Sequence, residues 1–261
     1  VNDLCNSLNC ERLMFADDLK LYTSVTCLDD CEKLQRQLKN LHQWCTNNDL
    51  YLNVSKCKIV TFSRKCNTVL FSYSIGSKEL ERSDIMRDLG IYFDHTLKFD
   101  YHINQMMLSA YKVYGFLIRN CKSFDNVSVL LMLYKSLVLS RLEYGSLIWN
   151  PIYNIYRHVI EKLQKKFLKF LSFKIDGIYP PQGSDYREML KRFDMTSLEI
   201  RRSQNSVLFM YKLLHNAIDC SDLLSKVSIL VPRMSARFHL TFYCTRDVSY
   251  RHLTLTTNRE E

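Results

Sequence analysis

The sequence predicts an α+β fold, because the spacing of its hydrophobic residues changes once along the chain. Before about residue 98, short runs of alternating apolar and polar residues are typical of strands, and one amphipathic segment among them is typical of a helix. Farther along, apolar residues recur every three or four positions, which indicates successive helices. We therefore divide the chain into an α+β part, 1–98, a helical part, 99–220, and a tail, 221–261, whose fold the pattern leaves open.

The first predicted element is a hairpin in the segment ERLMFADDLKLY, residues 11–22. Apolar residues alternate on both sides of the pair Asp17–Asp18, which predicts two half-buried strands joined by a very short turn. Adjacent carboxylates repel each other, and the less hydrated one gains a proton unless a cation compensates. A divalent metal would supply that cation, and an ordinary acidic turn is the alternative. The alternating residues are Leu13, Phe15, Leu19 and Leu21.

An amphipathic helix and several short strands follow the hairpin. Alternation over 50–54 predicts a strand, as do the β-rich run 59–62 and an extended segment, 73–75, that turns at Gly76. A last strand is predicted over 89–93, with Gly90 inside it. The helix is predicted to end around 47–49, and its apolar stripe consists of Cys31, Leu34, Leu38, Leu41 and Cys45.

Four helices are predicted in the second part of the chain. The first covers 103–117, and the second begins after Asp125 as its N-cap and continues until Pro151 stops it. A capping box, Thr196 to Glu199, opens the fourth helix, which continues to about His215. The third, in the segment NIYRHVIEKLQKKFLKFLSF, is expected to bury Val159, Ile160, Leu163, Phe167 and Leu171.

The composition is that of a folded protein with a basic surface. A hydrophobic fraction of 47%, with only 6 Gly and 4 Pro, argues against low-complexity disorder. The formal net charge of +9 favours a polyanionic partner such as nucleic acid. No apolar run approaches the roughly 18 residues of a membrane helix, and the first residues do not resemble a signal peptide. We therefore expect an intracellular protein, nuclear or cytoplasmic, that is not secreted and has no membrane partner.

The 10 cysteines predict neither a zinc site nor a disulfide framework. No two of them are spaced as Cys-x-x-Cys, and no Cys/His cluster recurs at finger spacing. Scattered thiols are typical of a reducing compartment. We expect these cysteines to be core residues and chance surface thiols.

The third predicted helix is strongly basic. Such a face suits phosphate contacts on a template–primer duplex, since each neutralised phosphate releases counterions. A solvated polar face is the alternative, and both interpretations also apply to Arg201 and Arg202 in the fourth helix. Tyr144 and Trp149 would either stack on bases or pack in the core, and their apolar helix favours the core. The basic residues of the third helix, which stand beside the single acid Glu161, are Arg157, Lys162, Lys165, Lys166 and Lys169.

Two short motifs and the segments after them carry a family resemblance. Phe15-Ala16-Asp17-Asp18 matches the motif [FY]-A-D-D, and the N-x-x-K-[CT] element follows it at 53–57. In this order the chain resembles the polymerase palm of reverse transcriptases from non-long-terminal-repeat retrotransposons, the jockey-like and related lineages. Segment 87–103 is similar to the family's primer-gripping segment, and segments 133–151 and 160–171 are similar to its thumb helices. With segment 196–215, similar to the helix after the thumb, the resemblance covers roughly residues 1 to 220.

The resemblance implies a role for each matching residue. Asp17 would be the main ligand of Mg²⁺ in a two-metal site, with Asp18 as its less essential neighbour. Lys56 would lie near the incoming deoxynucleoside triphosphate and protonate the pyrophosphate leaving group, whereas a solvated lysine on an edge strand is the alternative. An RNA template and a DNA primer, or an RNA–DNA hybrid, would be the partners. The remaining residues implied to contact nucleic acid are Phe15, Ala16, Leu89 and Gly90. For Leu89 and Gly90, a plain core strand is the alternative. These two residues belong to the segment that also includes Asp94 and His102.

A complete enzyme of this family needs more than these residues. It needs a third carboxylate on a strand well upstream of the [FY]-A-D-D motif, and fingers that close over the nucleotide, whereas only a short segment precedes Asp17 here. We therefore expect this chain alone not to polymerise DNA. It would then be either the C-terminal palm and thumb portion of a reverse transcriptase or a non-catalytic basic nucleic-acid-binding module derived from one.

Overall fold

Short strands alternate with one long helix in the first part of the chain, and helices follow one another in the second. The computed structural model describes residues 4–64, 68–227 and 252–256. They form two units, one that extends through Tyr101 and includes strand 252–256, and one that begins at His102. This mixture of helices and small sheets confirms the α+β prediction. The predicted boundaries after residues 98 and 220 stay predictions.

The first unit is built on a five-stranded sheet. Its strands are β1 Glu11–Phe15, β2 Asp18–Thr23, β3 Lys58–Thr61, β6 Glu81–Arg82 and β9 His252–Thr256. Their order is β1-β2-β9-β3-β6, and all neighbours are antiparallel except β3 and β6, which are parallel. Two hairpins form separate two-stranded sheets, one from β4 Ser74–Ile75 and β5 Lys78–Glu79, the other from β7 Ile85–Asp88 and β8 Ile91–Asp94.

Two helices accompany this sheet, α1 Leu4–Ser7 and α2 Leu28–Asn47. The apolar stripe predicted for α2 is confirmed, because its five members are the buried residues of that helix. They pack in one cluster with Leu19 and Leu21 of β2. Burying a leucine side chain stabilises a fold by about 1.5–3 kcal/mol, so this contact between helix and strand fixes which face of β2 points inward.

Two strand predictions in the first unit are wrong. Residues 50–54 do not form a strand, because the chain turns there: Val54 N–H donates to Leu52 O at 3.0 Å. Leu89 and Gly90 do not lie within a strand, because they form the turn between β7 and β8. Both have positive φ angles, +44° and +86°, as the tightest hairpin turns require.

The second unit contains long helices and one interrupted helical segment. The cap of the second predicted helix is Asn126 and not Asp125, since the Asn126 side chain accepts from the N–H groups of Ser128 and Val129. That helix does not continue to Pro151, because the chain breaks at Gly145, with φ +63°. Its parts are α4 Val127–Tyr134, a π-helical turn Lys135–Leu139, α5 Ser140–Glu143 and α6 Ser146–Trp149. The other helices are α3 Asp100–Asn120, α7 Asn154–Asp176, α8 Tyr186–Arg192, α9 Leu198–Leu214 and α10 Ser221–Ser225.

The predictions for the last helices need smaller corrections. Val159 is 38% exposed and therefore is not a core residue of α7, whereas the other four predicted residues are buried. The N-cap of α9 is Ser197, whose hydroxyl accepts from Ile200 N–H at 3.3 Å, and not Thr196. Helix α8 was not predicted. Most of the predicted tail, 228–251 and 257–261, lies outside the described residues.

Helix α7 carries two acids, Glu161 and Asp176, and Glu161 is hydrogen-bonded within the second unit. Glu161 Oε1 accepts from the Tyr186 hydroxyl at 2.5 Å and from Leu198 N–H at 3.0 Å. Gln164 Nε2 donates to the Tyr186 hydroxyl at 3.0 Å and to Thr196 O at 2.9 Å. These bonds join α7 to α8 and to the start of α9.

Two further sequence expectations can be compared with the described residues. Cysteines 31, 45, 57 and 121 are buried, Cys27 is exposed, and Cys10 and Cys220 are half-buried, all without a disulfide. Within 4–64, 68–227 and 252–256, no helix has the length and the apolar character needed to cross a membrane.

Asp94 organises the connection between β8 and α3. Its carboxylate accepts from the N–H groups of Thr96 at 3.0 Å, Lys98 at 3.2 Å and Phe99 at 2.7 Å, and from the Thr96 hydroxyl. Burial raises the pKa of this carboxyl, but the hydrogen bonds outweigh burial, and the pKa lies below its usual value.

We expect Asp94→Ala to lower the free energy of unfolding by about 1–2 kcal/mol at neutral pH, because several donors lose their acceptor. Since the folded pKa is lowered, this contribution is present above the unfolded pKa of about 4 and is lost as pH falls through the folded pKa. Denaturant titrations of wild type and variant at neutral and acidic pH measure the difference. Asp94→Asn, which keeps one acceptor oxygen, should lose less, and an equal difference at both pH values would contradict the assignment.

Candidate functional site

The two acids of the [FY]-A-D-D motif lie at the tip of the β1–β2 hairpin. Phe15 pairs with Asp18, so Ala16 and Asp17 alone form the turn. Ala16 has a φ of +53°, in the left-handed region where glycine is usual. A two-residue hairpin turn requires such an angle, and alanine has the smallest side chain after glycine. The short turn therefore holds Asp17 at the exposed tip and Asp18 at the start of β2, half-buried.

The electrostatic environment of Asp18 disfavours its charge. Burial raises the pKa of the Asp18 carboxyl, the neighbouring Asp17 carboxylate raises it further, and Lys20 partly opposes both. Asp88, from the β7–β8 hairpin, adds a smaller effect in the same direction as Asp17. A cation bound to the pair would relieve the repulsion between the two carboxylates, so the donor set fits a hard divalent ion such as Mg²⁺.

Asp17 and Lys56 line the same cavity, of about 1640 Å³. Residues of both motifs therefore line one cavity, and Asp18 is not among the residues that line it. Lys56 is exposed, and its N–H donates to Asn53 O at 3.0 Å within the turn that follows α2. Cys57 is buried, and its thiol donates to Asn53 O at 3.3 Å. The other residues lining the cavity include Ala16, Trp44, Tyr51 and Lys78.

The turn of the β7–β8 hairpin presents Leu89, which is 45% exposed, next to Gly90. Directly before it, Asp88 pairs with Lys20 of β2 at 2.5 Å. This pair was not predicted from the sequence. Lys20 lies on the same face of β2 as Asp18, but no local signal in the sequence indicates that its partner is Asp88, 68 residues away. Phe15, on the other side of the acidic turn, is 60% exposed.

Four lysines of α7 share one helical face, because their positions are spaced by three and four. Lys165 Nζ lies 6.0 Å from the ring centre of Tyr186, and Lys166 Nζ lies 5.0 Å from that of Tyr111. Lys169 donates to Pro181 O at 3.0 Å, and Lys162 is exposed.

The predicted arginines lie in different environments from these lysines. Arg157 pairs with Glu199 at 3.2 Å and donates to Pro151 O at 3.0 Å. Arg201 donates two hydrogen bonds to the Glu143 carboxylate, from Nε and, at 2.9 Å, from Nη2. Arg202 is only 2% exposed, and burial lowers the pKa of its guanidinium. Phosphate contacts by Arg201 and Arg202 remain predictions. The hydrogen bonds of Arg201 to Glu143 and the burial of Arg202 do not favour such contacts.

The two aromatic residues considered for stacking differ in exposure. Trp149 is buried, and its Nε1 donates to Tyr144 O at 2.7 Å, so the core assignment holds for the tryptophan. Tyr144 is 58% exposed. His102, in the segment that resembles the family's primer-gripping segment, is buried with its ring centre 5.5 Å from that of Trp149, and burial lowers the pKa of His102. Among the described side chains, no group of three or more His, Cys, Asp or Glu is arranged to hold a metal ion.

Comparison with known proteins gives distant matches. The chain is 27% identical to the RNA-directed DNA polymerase from the mobile element jockey of Drosophila funebris over 198 residues, which are 69% of this chain and 21% of that protein. It is 30% identical to an uncharacterized protein of Caenorhabditis elegans over 133 residues, 51% of this chain and 63% of that protein. The chain thus spans less than two thirds of the length of either relative.

No family model matches the chain, and no solved structure matches it. The similarity to the jockey polymerase supports a distant relationship with reverse transcriptases. This relationship is of the same kind as the family resemblance carried by the two motifs.

We expect Asp17→Asn to lower the pKa of Asp18, because the Asp17 carboxylate is one of the charges that raise it. A raised folded pKa means that ionised Asp18 lowers stability as pH rises through that pKa. The variant should therefore unfold at a higher temperature than wild type at neutral pH, and this gain should vanish when Asp18 is protonated.

Titration of the Asp18 carboxyl carbon by NMR, with thermal unfolding at each pH, measures both effects. Asp29→Asn, at an exposed position in the first turn of α2, is the control that should leave the pKa of Asp18 unchanged. An unaltered Asp18 pKa in Asp17→Asn would mean that burial alone raises it.

Proposed function

We propose that this chain is the C-terminal palm and thumb portion of a reverse transcriptase from a non-long-terminal-repeat retrotransposon. The observation that carries the proposal is that the hairpin tip with Asp17 and the turn with Lys56 line one cavity. Residues of both motifs thus lie in the first unit, and this supports the proposal. Similarity to the jockey polymerase over 69% of the chain supports the same class.

In this proposal Asp17 and Asp18 hold Mg²⁺. When bound, Mg²⁺ supplies charge stabilisation for the attacking and leaving oxygens of the phosphoryl transfer. The tight turn keeps the two carboxylates on a rigid element, which limits their loss of entropy on binding. Asp17 is the exposed and more accessible of the two, so we assign it the larger share of the binding.

Lys56 acts as the general acid of the proposed reaction. Its ammonium donates a proton to the pyrophosphate oxygen that leaves when the bond to the α-phosphorus breaks. A cation at this wall of the cavity also attracts the triphosphate before the reaction. Exposure of Lys56 and its place in the lining of the cavity support this role over that of a structural lysine.

Nucleic-acid contacts are proposed at two surfaces, one in each unit. In the first unit, the exposed Phe15, Ala16 and the turn Leu89–Gly90 approach the primer backbone. In the second unit, the lysine face of α7 contacts phosphates of an RNA–DNA hybrid, with Arg157 at its edge. That face consists of Lys162, Lys165, Lys166 and Lys169.

A non-catalytic nucleic-acid-binding module is the second candidate function. The observation that favours it is that the lysine face of α7 needs neither metal nor triphosphate to bind phosphates. The two candidates share hybrid binding and differ in whether Asp17 contributes to chemistry.

Replacing Lys165, Lys166 and Lys169 together by glutamate should weaken binding to an RNA–DNA hybrid. Each lost phosphate contact should reduce the dependence of log affinity on log salt by roughly 0.7–0.9. Fluorescence anisotropy at several salt concentrations measures both quantities. The matched control reverses Arg36, Lys39 and Lys191, which are exposed on α2 and α8. Equal losses in the two triple variants would show that net charge alone, and not this face, governs binding.

We expect the purified chain not to extend a primer on an RNA template with Mg²⁺ and deoxynucleoside triphosphates. Mg²⁺ prefers six oxygen ligands, and the hairpin offers two carboxylates of which one is disfavoured as an anion. A primer-extension gel measures incorporation, with hybrid binding of the same preparation as the control for folding. Template-dependent incorporation that Asp17→Asn abolishes would contradict this expectation and establish catalysis by the chain itself.

A further inference from the structure

The ion pair between Lys20 and Asp88 is buried. The Lys20 side chain is 8% exposed, the Asp88 side chain is 16% exposed, and Nζ lies 2.5 Å from Oδ2. Removing an ammonium from water without a partner costs several kcal/mol, so the buried lysine depends on this carboxylate.

The pair joins the two hairpins of the proposed site. Lys20 follows Asp18 by two positions on β2, so both side chains lie on the same face of the strand. Asp88 is the last residue of β7 and directly precedes the turn Leu89–Gly90. The charges of Lys20 and Asp88 both act on the Asp18 carboxyl.

The remaining contacts between the β7–β8 hairpin and the β3 segment lie away from the turn. Val60 of β3 and Met86 of β7 are buried together, with Phe62 and Phe93 partly buried against them. At the open end of the hairpin, Ser63 N–H donates to His95 O at 3.0 Å and Ser83 N–H donates to Ile59 O at 2.9 Å. Asp88 lies at the opposite end, next to the turn, where a short and directional charge-assisted hydrogen bond can fix the tip.

We propose that Lys20 and Asp88 are positioning residues that hold the turn Leu89–Gly90 in a fixed place beside Asp18. This inference rests on the proposed function, in which the turn contacts the primer and Asp18 helps to hold the metal. A misplacement of about 1 Å between reacting groups can reduce a rate by roughly 100-fold. A rigid link between the two hairpins is therefore what a polymerase site of this design requires.

The distance between the two hairpins tests the proposal without nucleic acid. Nitroxide labels on an unnatural amino acid at Met14 and Leu89, which are 43% and 45% exposed, report it by pulsed electron paramagnetic resonance in the full chain. Wild type should give one narrow distance. The double variant Lys20→Met, Asp88→Leu should keep its melting temperature, because an apolar pair of similar size can replace a buried ion pair. It should nevertheless lose the single narrow distance.

The controls separate positioning from stability. Lys20→Arg keeps the cation and should keep the narrow distance, and so should Lys33→Met, which removes the ion pair of Lys33 with Asp30 on α2. Asp88→Asn, which keeps the side-chain shape and removes the charge, is the second test variant if the double variant does not fold. It too should lose the narrow distance.

A narrow distance retained in the double variant would overturn the proposal and show that the apolar cluster and the backbone hydrogen bonds suffice. If the double variant does not fold, a narrow distance in Asp88→Asn would have the same meaning. Failure of wild type to bind an RNA–DNA hybrid would instead count against the proposed function. The distance measurement decides the role of the pair in either case, because it needs no ligand.

Discussion

The direction of side chains along β2 is the constraint on which the candidate site depends. Leu19 and Leu21 are buried against the apolar stripe of α2, so Asp18 and Lys20 point to the other face of the sheet. A slip of one residue in this register would place the acid in the core and the leucines in water. The apolar contact with α2 therefore decides where the carboxylate points, although it touches no functional group.

The second unit uses α7 in a comparable way, with different chemistry on its two sides. Glu161 and Gln164 bond to Tyr186 and to the start of α9, and Lys165 lies over the ring of the same tyrosine. Polar groups in such an interior define one arrangement of helices, because each donor needs its own acceptor. The basic face is thus presented by a helix whose rotation is fixed from within.

Sequence alone predicted the parts of this structure that depend on local periodicity. The stripe of α2, the β1–β2 hairpin and helices α3, α7 and α9 follow from spacing and capping signals, with an error of one residue at the cap of α9 and of three residues at each end of α3. The pattern failed at residues 50–54, where leucines at alternate positions pack on the core from a turn and not from a strand. It also failed at Leu89–Gly90, because nothing local showed that a strand ended at Asp88. The Lys20–Asp88 pair and the burial of Arg202 were beyond sequence reasoning, since both depend on residues distant in the chain.

The aromatic rings under Lys165 and Lys166 change what the face of α7 can recognise. A free lysine side chain carries about 2 kcal/mol of rotamer entropy, which it loses when it grips a phosphate. Here the two ammonium groups lie within the range of cation–π attraction of the Tyr186 and Tyr111 rings. A surface with pre-arranged charges adapts poorly to an arbitrary anion, and it discriminates by how far apart the negative groups of a ligand are spaced.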